Sequence, residues 1–159
     1  MGNLFRCFPN MEKKEYILKT GGILQSKYPL IPILDYIGGY SKLEYGNNWV
    51  KTTYDGWASI AFEFDATGWN TLFVGKAREI RNYVYAPSWL GITTNITSAS
   101  VAFSTMSPRL QVDETSKDFT IDISKLNGKM YLALAVNVDV QVDYAYREAR
   151  IEGDVYLSV

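Results

Sequence analysis

The residues best equipped to do chemistry in this chain are its aromatics. It holds twelve Tyr, seven Phe and four Trp, 14% of all positions. A flat ring packs against the apolar face of a pyranose while Asn, Asp, Arg or Gln meet the hydroxyls. Trp and Tyr suit that task because each joins a polar handle to a large apolar ring. Tyr45, Trp49, Tyr54, Trp57, Tyr83, Tyr85 and Trp89 fall at loop-like positions, and the run Tyr83 to Gly91 is the richest, with Arg81 and Asn82 just before it. The candidate ligand-binding residues are therefore Tyr85, Trp89, Tyr83, Trp57, Trp49 and Tyr54, with Tyr144 and Tyr146 beside Arg147 and Arg150 as a second set. The same residue types dominate protein interfaces, so they argue for binding without choosing between glycan and protein. Packing competes: Trp69, just after a turn, is expected in the core, and Trp57 and Trp49 lean toward core or subunit packing.

Bond-breaking chemistry has fewer candidates. With no histidine, Ser-His-Asp and Cys-His systems are excluded, and so are His-ligated metals. The single cysteine, Cys7, makes neither an internal disulfide nor a thiolate cluster, and is expected among Phe5 and Phe8 as a small hydrophobe. Glu63 with Asp65, Asp113 with Glu114, and Asp139 with Asp143 are carboxylate pairs of the kind glycosidases use. On a strand, however, Glu63 and Asp65 share one face and point together into solvent. Asp113, Glu114 and Asp118 lack the spacing of a calcium loop, and no glycine-rich stretch is followed by the Lys-Ser/Thr of a phosphate loop. No catalytic residue, metal or cofactor is expected. Asn95-Ile96-Thr97 matches a glycosylation sequon by chance.

These side chains must be carried by some scaffold, and 159 residues suit one domain with a full core. Sixteen basic against seventeen acidic residues leave a net charge of −1, which offers no broad grip on nucleic acid. Met1 to Arg6 begins like a myristoylation motif, but Arg6 stands where Ser or Thr is needed. No secretory signal is expected, and the longest apolar stretch, Leu30–Leu34, is too short to cross a membrane.

Period-two alternation dominates the chain. Ile60, Phe62 and Phe64 alternate with polar or small residues, as do Phe119, Ile121 and Ile123. The longest run places Leu132, Leu134, Val136, Val138, Val140 and Val142 on one face, with a bend expected near Asn137–Asp139. Val155, Leu157 and Val159 form a last strand. Turn signals at Gly38-Gly39, Gly46 to Asn48, Asp55-Gly56, Thr67-Gly68, Asn127-Gly128 and Gly153 separate these runs. Only Asn10–Lys19 offers a short helix, and Tyr16-Ile17-Leu18 within it reads equally as a strand. Pro29 and Pro32 favour an edge strand over a central one. The pattern predicts an all-β, antiparallel sandwich over residues 35–159, preceded by an N-terminal extended arm over residues 1–34.

Two passages carry a resemblance. Phe62-Glu63-Phe64-Asp65-Ala66-Thr67-Gly68-Trp69-Asn70-Thr71-Leu72 resembles the strand, Asp-x-Thr-Gly-aromatic, Leu-strand segment of galactose-binding-like jelly rolls. Ile121-Asp122-Ile123-Ser124-Lys125-Leu126-Asn127-Gly128 is similar to their Ile-Asp-Ile-Ser-x-Leu-x-Gly segment. Asp35 to Tyr40 and the leader Asn3-Leu4-Phe5 are similar to segments of small bacteriophage and prophage tail appendage proteins of this kind. The resemblance implies that the sandwich is a jelly roll in a non-enzymatic virion protein of the tail, baseplate or fibre, with the N-terminal arm serving assembly. It would be made in the host cytoplasm and bind a host-surface glycan or a neighbouring virion subunit. Its partners would be other virion proteins or itself, as a homo-oligomer such as a trimer, without nucleic acid or membrane insertion. A stand-alone carbohydrate-binding module is the alternative, and a carbohydrate-active enzyme comes last. The resemblance fixes no ligand residue.

Overall fold

The computed structural model describes residues 30–36, 42–85 and 87–158. They form β1 (Leu30–Tyr36), β2 (Lys42–Tyr45), β3 (Trp49–Thr53), β4 (Asp55–Asp65), β5 (Thr71–Asn82), β6 (Ser88–Thr93), α1 (Ala99–Ser104), β7 (Arg109–Val112), β8 (Lys117–Asp122), β9 (Lys129–Asp139), β10 (Tyr146–Ile151) and β11 (Val155–Ser158). The expected helix at Asn10–Lys19, Cys7 and Gly38-Gly39 lie outside the described residues. Among those described, no helix is long and apolar enough to cross a membrane.

Two antiparallel sheets stack face to face. Sheet A runs β1-β4-β9-β6-β7, and sheet B runs β2-β3-β10-β5 with β8 also pairing β5. The pairings are nested: β3 with β10, β4 with β9, β5 with β8, and β6 with β7, alternating between sheets. That nesting is the eight-strand jelly roll. β1 lies at the edge of sheet A, where proline costs no ladder bond. It spans the expected 34–35 boundary, so residues 30–34 pair with β4 as part of sheet A. β11 continues β10 along the same edge of β5 after a break at Glu152-Gly153-Asp154.

Alternation builds the core. Ile60, Phe62 and Phe64 of β4, Leu132, Leu134 and Val136 of β9, and Leu72 and Val74 of β5 point inward, with Trp69 beside them at 1% exposure. β9 keeps an unbroken register against β4 and stops at Asp139, so no bend is needed. Val140 and Val142 then leave the ladder and pack beside Val84, Val138 and Ala145.

The passages that carried the resemblance brace one another. Asp65 Oδ1 accepts from the Thr67 N–H at 2.9 Å, and Gly68 closes that turn with φ +82°. Thr67 Oγ1 accepts from the Gly128 N–H at 2.8 Å, and the Ala66 N–H donates to Gly128 O at 2.9 Å. Both turns thus join sheet to sheet at one end.

One helix was not foreseen. Asn95 Oδ1 accepts from Thr97 N–H and Oγ1–H, which turns the chain toward Ser98, and Ser98 Oγ caps α1 by accepting from the Val101 N–H at 3.2 Å. The sequon stretch is thereby the entry turn of α1. The helix lies on the outside of sheet A, where Ala99 and Ala102 meet Ala61, Ala133 and Ala135. Arg109 closes its far end, its Nη2 donating to Ser104 O and its guanidinium 4.2 Å from the Phe103 ring centroid.

Candidate functional site

Jelly-roll wrapping gathers alternate loops at each end. At one end lie the β3–β4 turn with Tyr54, the β5–β6 loop with Tyr83 and Tyr85, the β7–β8 loop, and the β9–β10 loop with Tyr144. Tyr85, Tyr144 and Tyr83 are 81%, 60% and 51% exposed. The Tyr83 and Tyr144 rings meet edge to face at 5.2 Å between centroids. Backbone contacts hold the rim: Asn82 Nδ2 donates to Tyr144 O at 2.7 Å, Arg81 Nη1 to Tyr85 O at 2.9 Å, and the Tyr54 N–H to Ala145 O at 3.0 Å. Tyr54 and Tyr83 both take left-handed backbone, φ +63° and +60°. A bulky residue seldom adopts that region, and such strain gathers at functional sites.

Beside Tyr54, a hollow of about 350 Å³ is lined by Lys42, Glu44, Thr53, Tyr54 and Asp143. It lies at the corner between the rim and the outer face of sheet B. That face carries Trp49, Lys51, Arg78, Tyr146, Glu148 and Arg150 on adjoining strands. Lys51 Nζ sits 4.5 Å from the Tyr146 ring centroid and Arg150 lies over Trp49 at 5.6 Å.

Of the six expected aromatics, the fold brings Tyr54, Tyr83 and Tyr85 to the rim. Trp57 and Trp89 stand instead on the outer face of sheet A. Both are half-buried under α1 against Phe103, at centroid distances of 4.7 and 5.8 Å. Trp49 lies toward the opposite end, its indole covering Gly46 so closely that a Cβ there would sit 2.1 Å from Nε1. Of the second set, Tyr144 joins the rim and Tyr146 and Arg150 face outward from sheet B, but Arg147 is buried.

Arg147 belongs to a buried group beneath the rim that sequence reasoning missed. Glu79 and Arg147 are each 1% exposed, with Arg147 Nε 3.1 Å from Glu79 Oε1. Ser88 Oγ donates to the same oxygen at 2.8 Å, Arg147 Nη1 donates to Pro87 O at 3.1 Å, and Arg81 lies 3.4 Å from Glu79 Oε2. Burial pushes the Glu79 carboxyl above the usual Glu range against the pull of Ser88, Arg147 and Arg81. Burial likewise lowers Arg147. Parity hid Glu79. Leu72 and Val74 face inward, so unbroken alternation would send Glu79 out. A register shift between Val74 and Ala77, with Lys76 at φ +53°, resets the count so that Ala77 and Glu79 face in.

Of the expected carboxylate pairs, Glu63 lies 4.0 Å from Lys129, Asp65 is held in its turn by the Thr67 N–H, and Asp113 and Glu114 are engaged by basic neighbours. Asp113 accepts from Lys117 Nζ and the Thr115 N–H, and the Lys117 bond holds it below the usual Asp range. Glu114 pairs with Arg81 at 3.0 Å, and Asp118 accepts the Lys76 N–H at 2.9 Å. Asp122 is lowered by its bonds from Ser124. Among the described residues, no three acidic or thiol side chains converge as a metal site. No protein-family model and no curated protein matches the chain.

Proposed function

We propose that this chain is a non-enzymatic recognition module that holds its ligand on the tyrosine rim. The observation that carries the reading is the convergence of Tyr54, Tyr83, Tyr85 and Tyr144 from three connections onto one end of a rigid sandwich, three of them more than half exposed. Tyrosine supplies wide contact area with few rotatable bonds, so ordering it costs little on binding. The surrounding amide, guanidinium and carboxylate groups provide hydrogen bonds for hydroxyls.

The ligand class is a cell-surface glycan or the face of a neighbouring subunit, and the setting is a bacteriophage or prophage tail, baseplate or fibre. The setting follows from the sequence passages that resemble such proteins, and the binding mode from the rim. Several copies on one particle would turn weak single contacts into firm attachment through effective concentration.

A panel of bacterial surface polysaccharides, presented to the full chain and to a Y83A/Y85A/Y144A variant, tests the glycan arm. Binding by the wild type that falls at least about tenfold in the triple variant, with an unchanged melting temperature, supports the rim. Equal binding by both proteins overturns it. Turnover of any polysaccharide by the wild type would replace the module with an enzyme.

A further inference from the structure

We propose that the edge of β2 opposite β3 pairs antiparallel with β2 of a second copy of this chain, about a two-fold axis through Leu43. β2 ends sheet B, and among the described residues only β3 pairs with it. Its open side has a determinable bonding pattern. The Gly46 N–H donates to Trp49 O at 3.0 Å, and on the far side of β3 the Tyr54 N–H donates to Ala145 O. Hydrogen-bonded pairs alternate along an antiparallel ladder. Lys42 and Glu44 therefore bond to β3, while the backbone N–H and C=O of Leu43 and Tyr45 face outward.

A copy related by a two-fold axis at Leu43 meets this pattern. Leu43 would oppose Leu43 of the second copy and exchange two backbone hydrogen bonds. Lys42 would oppose Glu44 of the second copy, and Glu44 its Lys42, as non-hydrogen-bonded pairs whose Cα atoms approach to about 4.5 Å. Lys42 and Glu44 are exposed on the outer face of sheet B. Glu44, Lys51 and Glu148 already form one cross-strand row of alternating charge, with Glu44 and Lys51 3.8 Å apart. Lys42 of the second copy adds the next positive charge to that row. An edge carrying one sign of charge repels its own copy, the usual protection of such strands. β2 carries one charge of each sign, placed symmetrically about Leu43.

The strand has four residues, so the contact falls well short of the roughly 1,200–2,000 Å² of a standard interface and the association is weak. Its test needs no ligand on the rim, although Lys42 and Glu44 also line the hollow beside Tyr54. Sedimentation equilibrium of the full chain, up to about 1 mM, tests it with K42E, E44K and their equimolar mixture. The wild type should rise above its 18.0 kDa monomer mass with concentration. Each single variant places like charges opposite one another and should stay monomeric, with an unchanged circular dichroism spectrum. The mixture should regain association, because the doubly acidic β2 of the K42E chain then faces the doubly basic β2 of the E44K chain. A monomeric wild type, association that survives in both single variants, or a mixture that stays monomeric would each overturn the proposal.

Discussion

The two outer faces of the sandwich come from the same alternation and end in opposite environments. Sheet A turns Ala61, Ala133 and Ala135 outward, and α1 lies on them, so that all three are fully buried. Sheet B turns Lys51, Arg78, Glu148 and Arg150 outward, and among the described residues no element covers them. Small outward residues let a helix approach the sheet closely; charged ones keep a face in water. The difference decides which aromatics are available. Trp57 and Trp89, on the covered face, are bound into a second core, whereas Tyr83, Tyr85 and Tyr144 at the rim stay exposed.

The inner faces differ as well, and there the largest effect is expected. Glu79→Ala removes the ion-pair partner of buried Arg147, leaving only the more distant Asp139 as counter-charge, and should cost about 3–5 kcal/mol, read by denaturant unfolding. Sheet A has no inward ion pair among the described residues. Glu79→Gln tests the same pair through pH. The folded carboxyl holds its proton more tightly than an unfolded Glu near pKa 4.3, so its contribution is full below that pH and declines as pH rises through the raised folded value. The stability of the wild type relative to Glu79→Gln should therefore fall with rising pH across that interval. Asp113 and Asp122 act in the opposite sense, their contribution being lost as the pH falls below the ordinary Asp value.

Ala135→Glu would bury a charge without a partner under α1 and should destabilise by at least about 3 kcal/mol. Unchanged stability would mean that the helix does not cover this face. Phe103→Ala removes the ring shared by Trp57, Trp89 and Arg109, and a cost of about 2–3 kcal/mol is expected because Phe103 is only half-buried. Tryptophan emission should shift to the red as Trp57 and Trp89 meet water. On the open face, half-buried Lys51 pairs with exposed Glu44 and lies over the Tyr146 ring, and Lys51→Ala should cost no more than about 1 kcal/mol. A larger loss there would show that the face is not open.

Much of the fold was legible in particular residues. Ile60, Phe62 and Phe64, and Leu132, Leu134 and Val136, announce inward faces, and the turns at Thr67-Gly68 and Asn127-Gly128 fall where expected. The rim was partly legible, since Tyr83, Tyr85 and Tyr54 stand beside turn residues. Its fourth member, Tyr144, lies 61 positions beyond Tyr83 and reaches it only through strand pairing. α1 escaped because six residues give too short a window for helical periodicity, although Ser98, with Ala99 and Ala102 after it, was a usable cap signal.

By itself the sequence determined that strands would form and which side of each would seek the core, because side chains on a strand alternate with period two and apolar surface leaves water. Only the tertiary structure decided which outer face is covered, where the break at Gly75 and Lys76 turns Glu79 inward, and which tyrosines meet at one end. Those outcomes depend on groups brought together from distant positions, as Glu79 and Arg147 are across 68 residues of chain, and such distances are closed by sheet pairing rather than by local pattern.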